Sequence, residues 1–197
     1  MNIVDISRPL LTTIEYPGDP ETRLDAVQRI ENGDVCNLSA VYACVHTATH
    51  VDAPLHFIDG GATIDKFPPE LFIGECVVVA APPGPITGAY AEDNFPWQGA
   101  ERLLIKGNGL SYLMESSAYY IVDSGVKLLG TDAQTIGNST SNSLIHKAIL
   151  SADIPIIEGL DLSNVEPGRY FLMAQPLKVS GVEAAPCRAV LIKDHLF

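Results

Sequence analysis

The chain has few basic side chains: 12 Lys and Arg stand against 24 Asp and Glu, which gives a formal net charge of −12 over 197 residues. A surface of this sign repels a phosphate backbone and an anionic membrane surface, so we expect no nucleic acid partner. The acidic surplus is explained by solubility alone, or in part by carboxylates gathered around cations. Both explanations stay open at this point.

Paired cysteines and long apolar runs are also lacking. Four cysteines are spread along the chain: Cys36, Cys44, Cys76 and Cys187. They form no C-x-x-C motif, and the start MNIVDISRPL has no basic end followed by an apolar core, which favours the reducing cytosol. The longest apolar stretch, near residues 77–81, ends at Pro82. A membrane span requires roughly 20 apolar residues. We therefore expect a cytoplasmic protein with no membrane partner.

Short apolar runs bounded by turn residues predict a protein rich in strands. The runs are NIVDIS, CVVVAA, RLLIK, YYIVD, IPIIE, YFLMA and RAVLIK. Several are continuously apolar, which is typical of strands covered on both faces. Patterns with a period of 3.6 are few, and TSNSLIHKAILSAD at residues 140–153 is the best helix candidate. A shorter helical turn is expected near PPELFIGE, and some helix within TGAYAEDNFPWQGAER.

Composition and length indicate how many domains the chain forms. Apolar residues make up 47% and charged residues 18% of the chain, a globular balance, and no repeat or linker divides it. The length suits one domain with a sizeable core. We predict a single α/β domain over residues 1–197, with a strand-rich mixed sheet or barrel-like core and few helices.

Histidine is scarce, with five in the chain, yet three of them lie with an aspartate in HTATHVDAPLHF at residues 46–57. His46 and His50 have the spacing of two ligands on one helical face, but the β-branched neighbours and a following proline disfavour a helix. In an extended segment, His50 and Asp52 share one face because side chains alternate. A bend at Ala48 would bring His46 beside them.

Two imidazoles and a carboxylate form an open ligand set, which a catalytic Zn²⁺ or Mn²⁺ requires so that water can bind. A structural zinc site is normally closed by four protein ligands, often thiolates, and the cysteines lack that spacing. The alternative is that each histidine caps a turn or fills a gap in the core. Three histidines with an aspartate favour the metal site.

Two further residues carry the same side-chain chemistry elsewhere in the chain. His146 would lie on the predicted helix, and Glu158 ends the run IPIIE. A glutamate is costly to bury there unless a cation or hydrogen bonds compensate. Taken alone, His146 is equally consistent with an exposed helical side chain, and Glu158 with a carboxylate that faces water.

The run H-T-A-T-H-V-D-A-P-L-H-F resembles the H-x-G-[TA]-H-x-D-x-P-x-H-[FY] signature of the cyclase family of metal-dependent hydrolases, which includes bacterial kynurenine formamidases and isatin hydrolases. The similarity extends to DISRPL, YPGDP, GTD at residues 130–132, and the C-terminal third from IIEGLD to RAVLI. This resemblance implies a swivelling β/β/α domain that usually dimerises. A homodimer or homotetramer is the assembly we expect.

The resemblance also implies a role for each of these side chains. It implies a first zinc held by His46, His50 and Asp52 and a second zinc held by Asp52, His146 and Glu158. His56 would be the catalytic acid/base. Zn²⁺ is the expected metal, Mn²⁺ is the other candidate, and either one or two ions per chain fit the ligand set.

Two positions depart from the family pattern, and both adjoin this set. Ala48 stands where the signature has glycine, and a bend with positive φ strains alanine but not glycine. Tyr16 in YPGDP stands where the formamidases usually carry a tryptophan that lines the substrate pocket. A tyrosine offers a smaller face and a hydroxyl, so a smaller and more polar substrate pocket is expected.

We predict a metal-dependent hydrolase that cleaves the C–N bond of a small aryl formamide or cyclic amide. A metal-activated water would attack the carbonyl, and His56 would carry the proton to the leaving nitrogen. The alternatives are a metal- or ligand-binding protein of the same fold without catalysis, and a lactone hydrolase or cyclase. A serine hydrolase is disfavoured because the chain has no G-x-S-x-G motif.

Overall fold

The computed structural model describes residues 2–95, 99 and 101–193 of the chain. The strands are β1 (Asn2–Asp5), β2 (Arg23–Gln28), β3 (Leu38–Tyr42), β4 (His50–Asp52), β5 (Ile73–Ala80), β6 (Gly84–Ile86), β7 (Arg102–Lys106), β8 (Ser111–Leu113), β9 (Leu128–Thr131), β10 (Ile156–Glu158), β11 (Gly168–Met173), β12 (Ala184–Pro186) and β13 (Val190–Lys193). The α-helices are α1 (Gly88–Asn94), α2 (Glu115–Asp123) and α3 (Asn142–Leu150). Short 3₁₀ helices lie at Ile30–Asn32, Pro54–His56, Ile64–Lys66 and Pro69–Phe72.

Nine strands form one curled, half-barrel sheet in the order β1-β13-β11-β5-β7-β9-β10-β4-β12. The central strands β5, β7, β9 and β10 are parallel, and the flanking pairs are antiparallel. Parallel neighbours need long crossover connections, which explains why α2 and α3 lie between β7, β9 and β10 in the chain. The predicted mixed α/β fold, rich in strands and poor in helices, is confirmed.

The central strands are apolar on both faces because each face packs on its own core. Along β5, Val78 belongs to one cluster of buried side chains while Val77 and Val79 belong to the other. The same alternation continues on β7, where Leu104 faces the first cluster and Leu103 the second. Two covered faces are the reason that these strands are continuously apolar.

Helix α3 lies inside the segment predicted as a helix, and its buried face carries Ile145, His146, Ile149 and Leu150. Ser141 is its N-cap residue, but the hydroxyl makes no cap hydrogen bond and donates to Asn138 Oδ1 at 3.0 Å instead. The expected turn in PPELFIGE is the 3₁₀ helix Pro69–Phe72. The expected helix in TGAYAEDNFPWQGAER is α1, although residues 96–98 and 100 of that run lie outside the described residues.

One predicted strand is wrong: YYIVD at residues 119–123 is the second half of α2. The buried side chains of α2 are Ser117, Ala118 and Ile121, which share one face at helical spacing. The helix begins where the Met114 N–H donates to Ser117 Oγ at 3.1 Å. The helical period could not be recognised in the run YYIVD, because an apolar residue in it does not always mark the buried face. Its first residue, Tyr119, is exposed and not part of the core.

Strands β2 and β3 form a separate antiparallel hairpin, which the apolar runs did not predict. Every residue of both strands is exposed. The exposed large apolar side chains of the hairpin are Leu24, Val27, Ile30, Val35, Leu38, Val41 and Tyr42. An isolated two-stranded hairpin is at best marginally stable in water, and neither strand of this one contributes a buried residue.

Across residues 2–95, 99 and 101–193, the helices are too short or too polar for any of them to span a membrane.

Candidate metal centre

The pairing of β4 with β10 builds the centre of the site. The two strands are antiparallel, and His50 lies directly opposite Glu158 while Asp52 lies opposite Ile156. Because side chains alternate along a strand, His50 and Asp52 point to one face and Val51 points into the core on the other. The expectation that His50 and Asp52 share a face in an extended segment is therefore confirmed.

The bend before β4 occurs at Ala48, whose φ is 60°. This left-handed conformation is the one that the family glycine would adopt freely, and alanine retains it here. The Ala48 carbonyl lies so close to Gly159 that a Cβ at Gly159 would come within 2.3 Å of the Ala48 oxygen. The bend returns His46 to the face of β4 that carries Asp52.

Three imidazoles surround the carboxylate of Asp52, whose side chain is 0% exposed. Asp52 Oδ1 lies 2.9 Å from His46 Nδ1 and 3.4 Å from His50 Nε2. Asp52 Oδ2 lies 3.5 Å from His146 Nε2. Asp52, to which the family resemblance gives a place in both ligand sets, thus lies at the centre of these three imidazoles.

Glu158 closes the opposite side of this group. Its Oε1 lies 3.1 Å from His146 Nε2, and its Oε2 lies 3.8 Å from His50 Nε2. The carboxylate is held in place because Oε1 accepts hydrogen bonds from the Ile136 N–H at 2.6 Å and from Thr135 Oγ1 at 3.2 Å. His146 and Glu158 are both buried, so neither faces solvent as the alternative interpretation required.

Backbone carbonyls orient two of the imidazoles. His50 Nδ1 donates to the Ala48 carbonyl at 3.1 Å, and His146 Nδ1 donates to the Asn142 carbonyl at 2.9 Å. Each bond leaves Nε2 without its proton in the neutral ring and directs that nitrogen toward the two carboxylates. This arrangement is typical of histidines that bind metals, in which the outer N–H is fixed by an acceptor.

The unsatisfied atoms of the site test whether a metal fits. Within the described part of the chain, the buried side-chain atoms without a hydrogen-bond partner are His50 Nε2 and both carboxylate oxygens of Asp52. Buried polar atoms are normally hydrogen-bonded, and leaving a charged oxygen unpaired is costly. These atoms converge on one region, and their nitrogen and carboxylate-oxygen donors suit a divalent metal. The residues present therefore fit a metal.

Without a metal, the buried charges depend on one another. Burial opposes the charge on His50 and His146, but the neighbouring carboxylates outweigh it and raise the pKa of His50 to about 9 and of His146 to about 10. Burial would raise the pKa of Asp52, yet the adjacent imidazoles hold it well below its usual value. In the metal-free chain, the protonated histidines balance the negative charge of the carboxylates, as a bound cation would.

His56 lies at the mouth of the cluster, at the end of the 3₁₀ helix Pro54–His56. Its ring centroid is 4.1 Å from that of His46 and 5.7 Å from that of His146. Burial lowers the pKa of His56, which favours the neutral imidazole near pH 7. His46, Asp52 and His56 form one group with ligand atoms within 4.8 Å of each other, and His50, Asp52 and Glu158 form a second.

A cavity of about 190 Å³ opens above these groups. An engineered apolar cavity of about 150 Å³ binds benzene, so this volume accommodates a single-ring compound. Tyr16 lines the cavity, and Phe57 provides a second aromatic side chain. Phe57 is the last residue of the histidine run. It matches the [FY] position of the family signature, so its place at the site could have been predicted from that position.

Other residues at the site were not predicted from the sequence. Asp19 and Gln134 line the cavity, and Glu183 Oε1 lies 3.5 Å from His46 Nε2. Asp19 lies within YPGDP, which was quoted only as a mark of resemblance. Gln134 lies in a segment without a motif, and Glu183 lies in the C-terminal third, where the resemblance singled out no residue at this position.

A buried carboxylate among imidazoles, near one edge of a curled mixed sheet and beneath a small cavity, is the site of a metal-dependent hydrolase. The family model Cyclase, described as "Putative cyclase", matches residues 4–94. A kynurenine formamidase of Salinibacter ruber is 37% identical over 206 residues, covering 97% of this chain and 97% of that protein. The chain belongs to the cyclase family of metal-dependent hydrolases.

Solved structures agree with this assignment. The structure of a potential metal-dependent hydrolase with cyclase activity superposes with a TM-score of 0.83 at 30% identity and covers 96% of each chain. Isatin hydrolase A from Labrenzia aggregata has a TM-score of 0.82 at 17% identity, over 98% of this chain and 94% of that one, and shares the fold. The relationships and the site together support metal-dependent hydrolysis of an amide as the chemistry of this chain.

Proposed function

We propose that the chain hydrolyses the C–N bond of a small aryl formamide or cyclic amide, with a divalent metal held by His46, His50, Asp52, His146 and Glu158. One observation carries the proposal: the fully buried Asp52 carboxylate lacks hydrogen bonds on both oxygens while three imidazoles lie within 3.5 Å of it. A divalent cation would bind these nitrogens and the carboxylate together, which neutral imidazoles directed at the same point cannot do for one another.

The chemistry divides between the metal and the chain. A divalent metal lowers the pKa of bound water from 15.7 to about 7 and polarises a carbonyl. His56 accepts the proton of the attacking water and returns it to the leaving nitrogen, a role that suits an imidazole kept neutral by burial. Burial of Asp52 and Glu158 strengthens their hold on a cation.

Tyr16 and Phe57 support an aromatic substrate. Relatives named kynurenine formamidase and isatin hydrolase point to the same class of compound. Tyr16 gives a smaller and more polar surface than tryptophan would, so we propose that N-formylkynurenine is a mediocre substrate. Its kcat/KM should lie below about 10⁵ M⁻¹s⁻¹, within the lower part of the range of evolved enzymes.

The test is a panel of N-formylkynurenine, isatin, simple formanilides and lactones, assayed with the zinc-loaded protein and with His56→Ala. We expect hydrolysis of at least one amide, and a fall of roughly 10² or more in turnover for His56→Ala with zinc content unchanged. Equal turnover in native protein and His56→Ala would remove His56 from the mechanism. Activity on lactones alone would favour the lactone hydrolase.

The first alternative is a protein that binds a metal or ligand without catalysis. Such a protein needs the buried ligands but has no use for a neutral imidazole at the mouth of the cluster. The position of His56 therefore favours the enzyme. Zinc binding without hydrolysis of any compound in the panel would favour the binding protein.

We propose Zn²⁺ as the metal, with Mn²⁺ as the second candidate. Three imidazoles and two carboxylates suit Zn²⁺, whereas a site for Mn²⁺ would be richer in oxygen ligands. Asp52 lies between His46 and His146 with a different oxygen toward each, so the ligand set would have room for two ions per chain.

We also propose that the chain assembles as a homodimer or homotetramer through the β2–β3 hairpin. The hairpin exposes seven large apolar side chains and includes Val35, which is fully exposed. Its charges are mixed, with two arginines and three acidic residues within residues 23–42, in a chain where acidic residues are twice as many as basic ones. Such a surface complements a second copy of itself better than a strongly charged partner.

Light scattering tests this proposed assembly. The native chain should be a dimer or tetramer that dissociates on Leu24→Asp, and a monomeric native chain would contradict the proposal.

A cytoplasmic location is proposed on the basis of the cysteines. All four are free thiols, and burial raises the pKa of Cys76 and Cys187 to about 12, so these two thiols stay protonated and unreactive. Thiols that form no disulfides are typical of the reducing cytosol.

A further inference from the structure

Glu183 is an acidic residue at the rim of the site to which neither the sequence nor the mechanism gave a role. It immediately precedes β12, which pairs with β4 so that Ala184 lies opposite Asp52. The Glu183 carbonyl accepts a hydrogen bond from the Ala53 N–H at 2.8 Å. The backbone at Glu183 is therefore fixed in register with the strand that carries the metal ligands.

The side chain of Glu183 faces one nitrogen of His46. Glu183 Oε1 lies 3.5 Å from His46 Nε2, while His46 Nδ1 lies 2.9 Å from Asp52 Oδ1 on the other side of the ring. The nitrogen directed at the buried ligand group is therefore Nδ1. Nε2 is the outer nitrogen, and it carries the proton in a neutral ring that binds through Nδ1.

The three histidines around Asp52 differ in what faces their outer nitrogen. Backbone carbonyls of Ala48 and Asn142 accept from His50 and His146. His46 instead faces a carboxylate, which is a stronger acceptor because it is charged. His46 is also more exposed than the other two, at 15% against 3% and 1%, so its ring has more need of an orienting contact.

We propose that Glu183 is a positioning residue that holds the His46 ring with Nδ1 toward the metal and Nε2–H toward its own carboxylate. This proposal rests on the proposed metal centre. A carboxylate behind a ligating imidazole fixes the tautomer and raises the basicity of the bound nitrogen, and loss of such a partner typically weakens metal affinity about 10- to 100-fold. Glu183 is 37% exposed, so solvent screens its charge and the lower part of that range is expected.

The experiment measures the Zn²⁺ affinity of the purified full chain by competition with a chromophoric chelator at pH 7.5. Glu183→Ala should weaken the binding of one ion by about tenfold. Glu183→Gln keeps an oxygen that can accept from Nε2–H, so it should recover part of the loss. Glu166→Ala is the matched control, since Glu166 is an exposed glutamate outside the cavity lining and its loss changes the net charge equally.

A second readout separates orientation of His46 from general stability. The absorption spectrum of the Co²⁺-loaded chain should change in Glu183→Ala and remain close to native in Glu166→Ala, because ligand geometry determines the spectrum. Equal affinity in native protein and Glu183→Ala, or equal losses in Glu183→Ala and Glu166→Ala, would overturn the proposal. Failure of the native chain to bind Zn²⁺ would instead contradict the metal centre itself, so the two failures are distinguishable.

Discussion

The methyl group of Ala48 strains the backbone bend that brings His46 to the site. Its φ of 60° places the residue in the left-handed region, which costs about 1–2 kcal/mol for a residue with a Cβ. Glycine removes that strain but loses more conformational entropy on folding, about 0.5–1 kcal/mol. We expect Ala48→Gly to raise the free energy of unfolding by about 0.5–1 kcal/mol, measured by urea denaturation of the metal-free chain.

The outcome of Ala48→Gly also tests the position of the bend. The substitution should leave Zn²⁺ affinity within a few-fold of native, because the bend already has the conformation that glycine adopts freely. Destabilisation by Ala48→Gly would mean that Ala48 has a negative φ in solution, and that His46 reaches Asp52 by a different route.

Three of the five proposed ligands could be predicted from the sequence, because His46, His50 and Asp52 lie within one short segment. Alternation places His50 and Asp52 on one face, and the bend at Ala48 adds His46. His146 and Glu158 could be linked to them only through the family resemblance. Glu183 and Gln134 could not be predicted, since each reaches the site through tertiary contacts that local pattern does not encode.

At the scale of elements, the site depends on the close approach of the bend before β4 to the end of β10. Gly159 follows Glu158 with φ 68°, and a Cβ there would lie 2.3 Å from the Ala48 oxygen. Because both groups are backbone, the strands must separate to admit a methyl group. We expect Gly159→Ala to lower the free energy of unfolding by about 2 kcal/mol or more and to weaken Zn²⁺ binding.

Gly60→Ala is the matched control for this prediction. Gly60 has a nearly identical φ of 69°, but nothing lies within 4 Å of a Cβ built on it. Its substitution should therefore show the backbone strain alone, about 1 kcal/mol, with native Zn²⁺ affinity. If the two alanine variants lose equal stability and both retain the metal, close packing at Gly159 does not support the site.

The elements differ in how well the sequence predicts them. Strands β5 and β7 contain apolar runs that are buried on both faces and end at turn residues, so the pattern of the sequence identified them. The hairpin β2–β3 was missed because it is exposed throughout, and burial produces the pattern that reveals a strand. Helix α2 was misassigned because only one narrow face of it is buried.

In the metal-free chain, protons are held on the two imidazoles through which His50 and His146 would bind a metal. The metal-free chain has a pKa of about 9 at His50 and about 10 at His146, above the unfolded value near 6.5. Both rings are protonated at pH 7 in that state, and both must lose the proton to bind a metal. We expect the apparent Zn²⁺ affinity to rise about tenfold or more per pH unit between pH 7 and 8.5, measured by chelator competition.

The same protons stabilise the metal-free fold. A histidine whose folded pKa lies above its unfolded pKa contributes stability that is fully present below pH 6.5 and is lost as pH rises through 9 to 10. The metal-free chain should therefore become less stable from pH 7 to pH 9, while its metal affinity increases. Stability that is flat over this range in the presence of chelator would contradict the buried ion pairs.

Zinc content per chain after loading and desalting shows whether Asp52 holds the metal. We expect about two ions in native protein, about one in His146→Ala, and none in Asp52→Ala. Asp52→Asn serves if the alanine variant does not fold, because the amide keeps the shape of the carboxylate and removes its charge. If either Asp52 variant folds and retains the native zinc content, Asp52 is not a metal ligand.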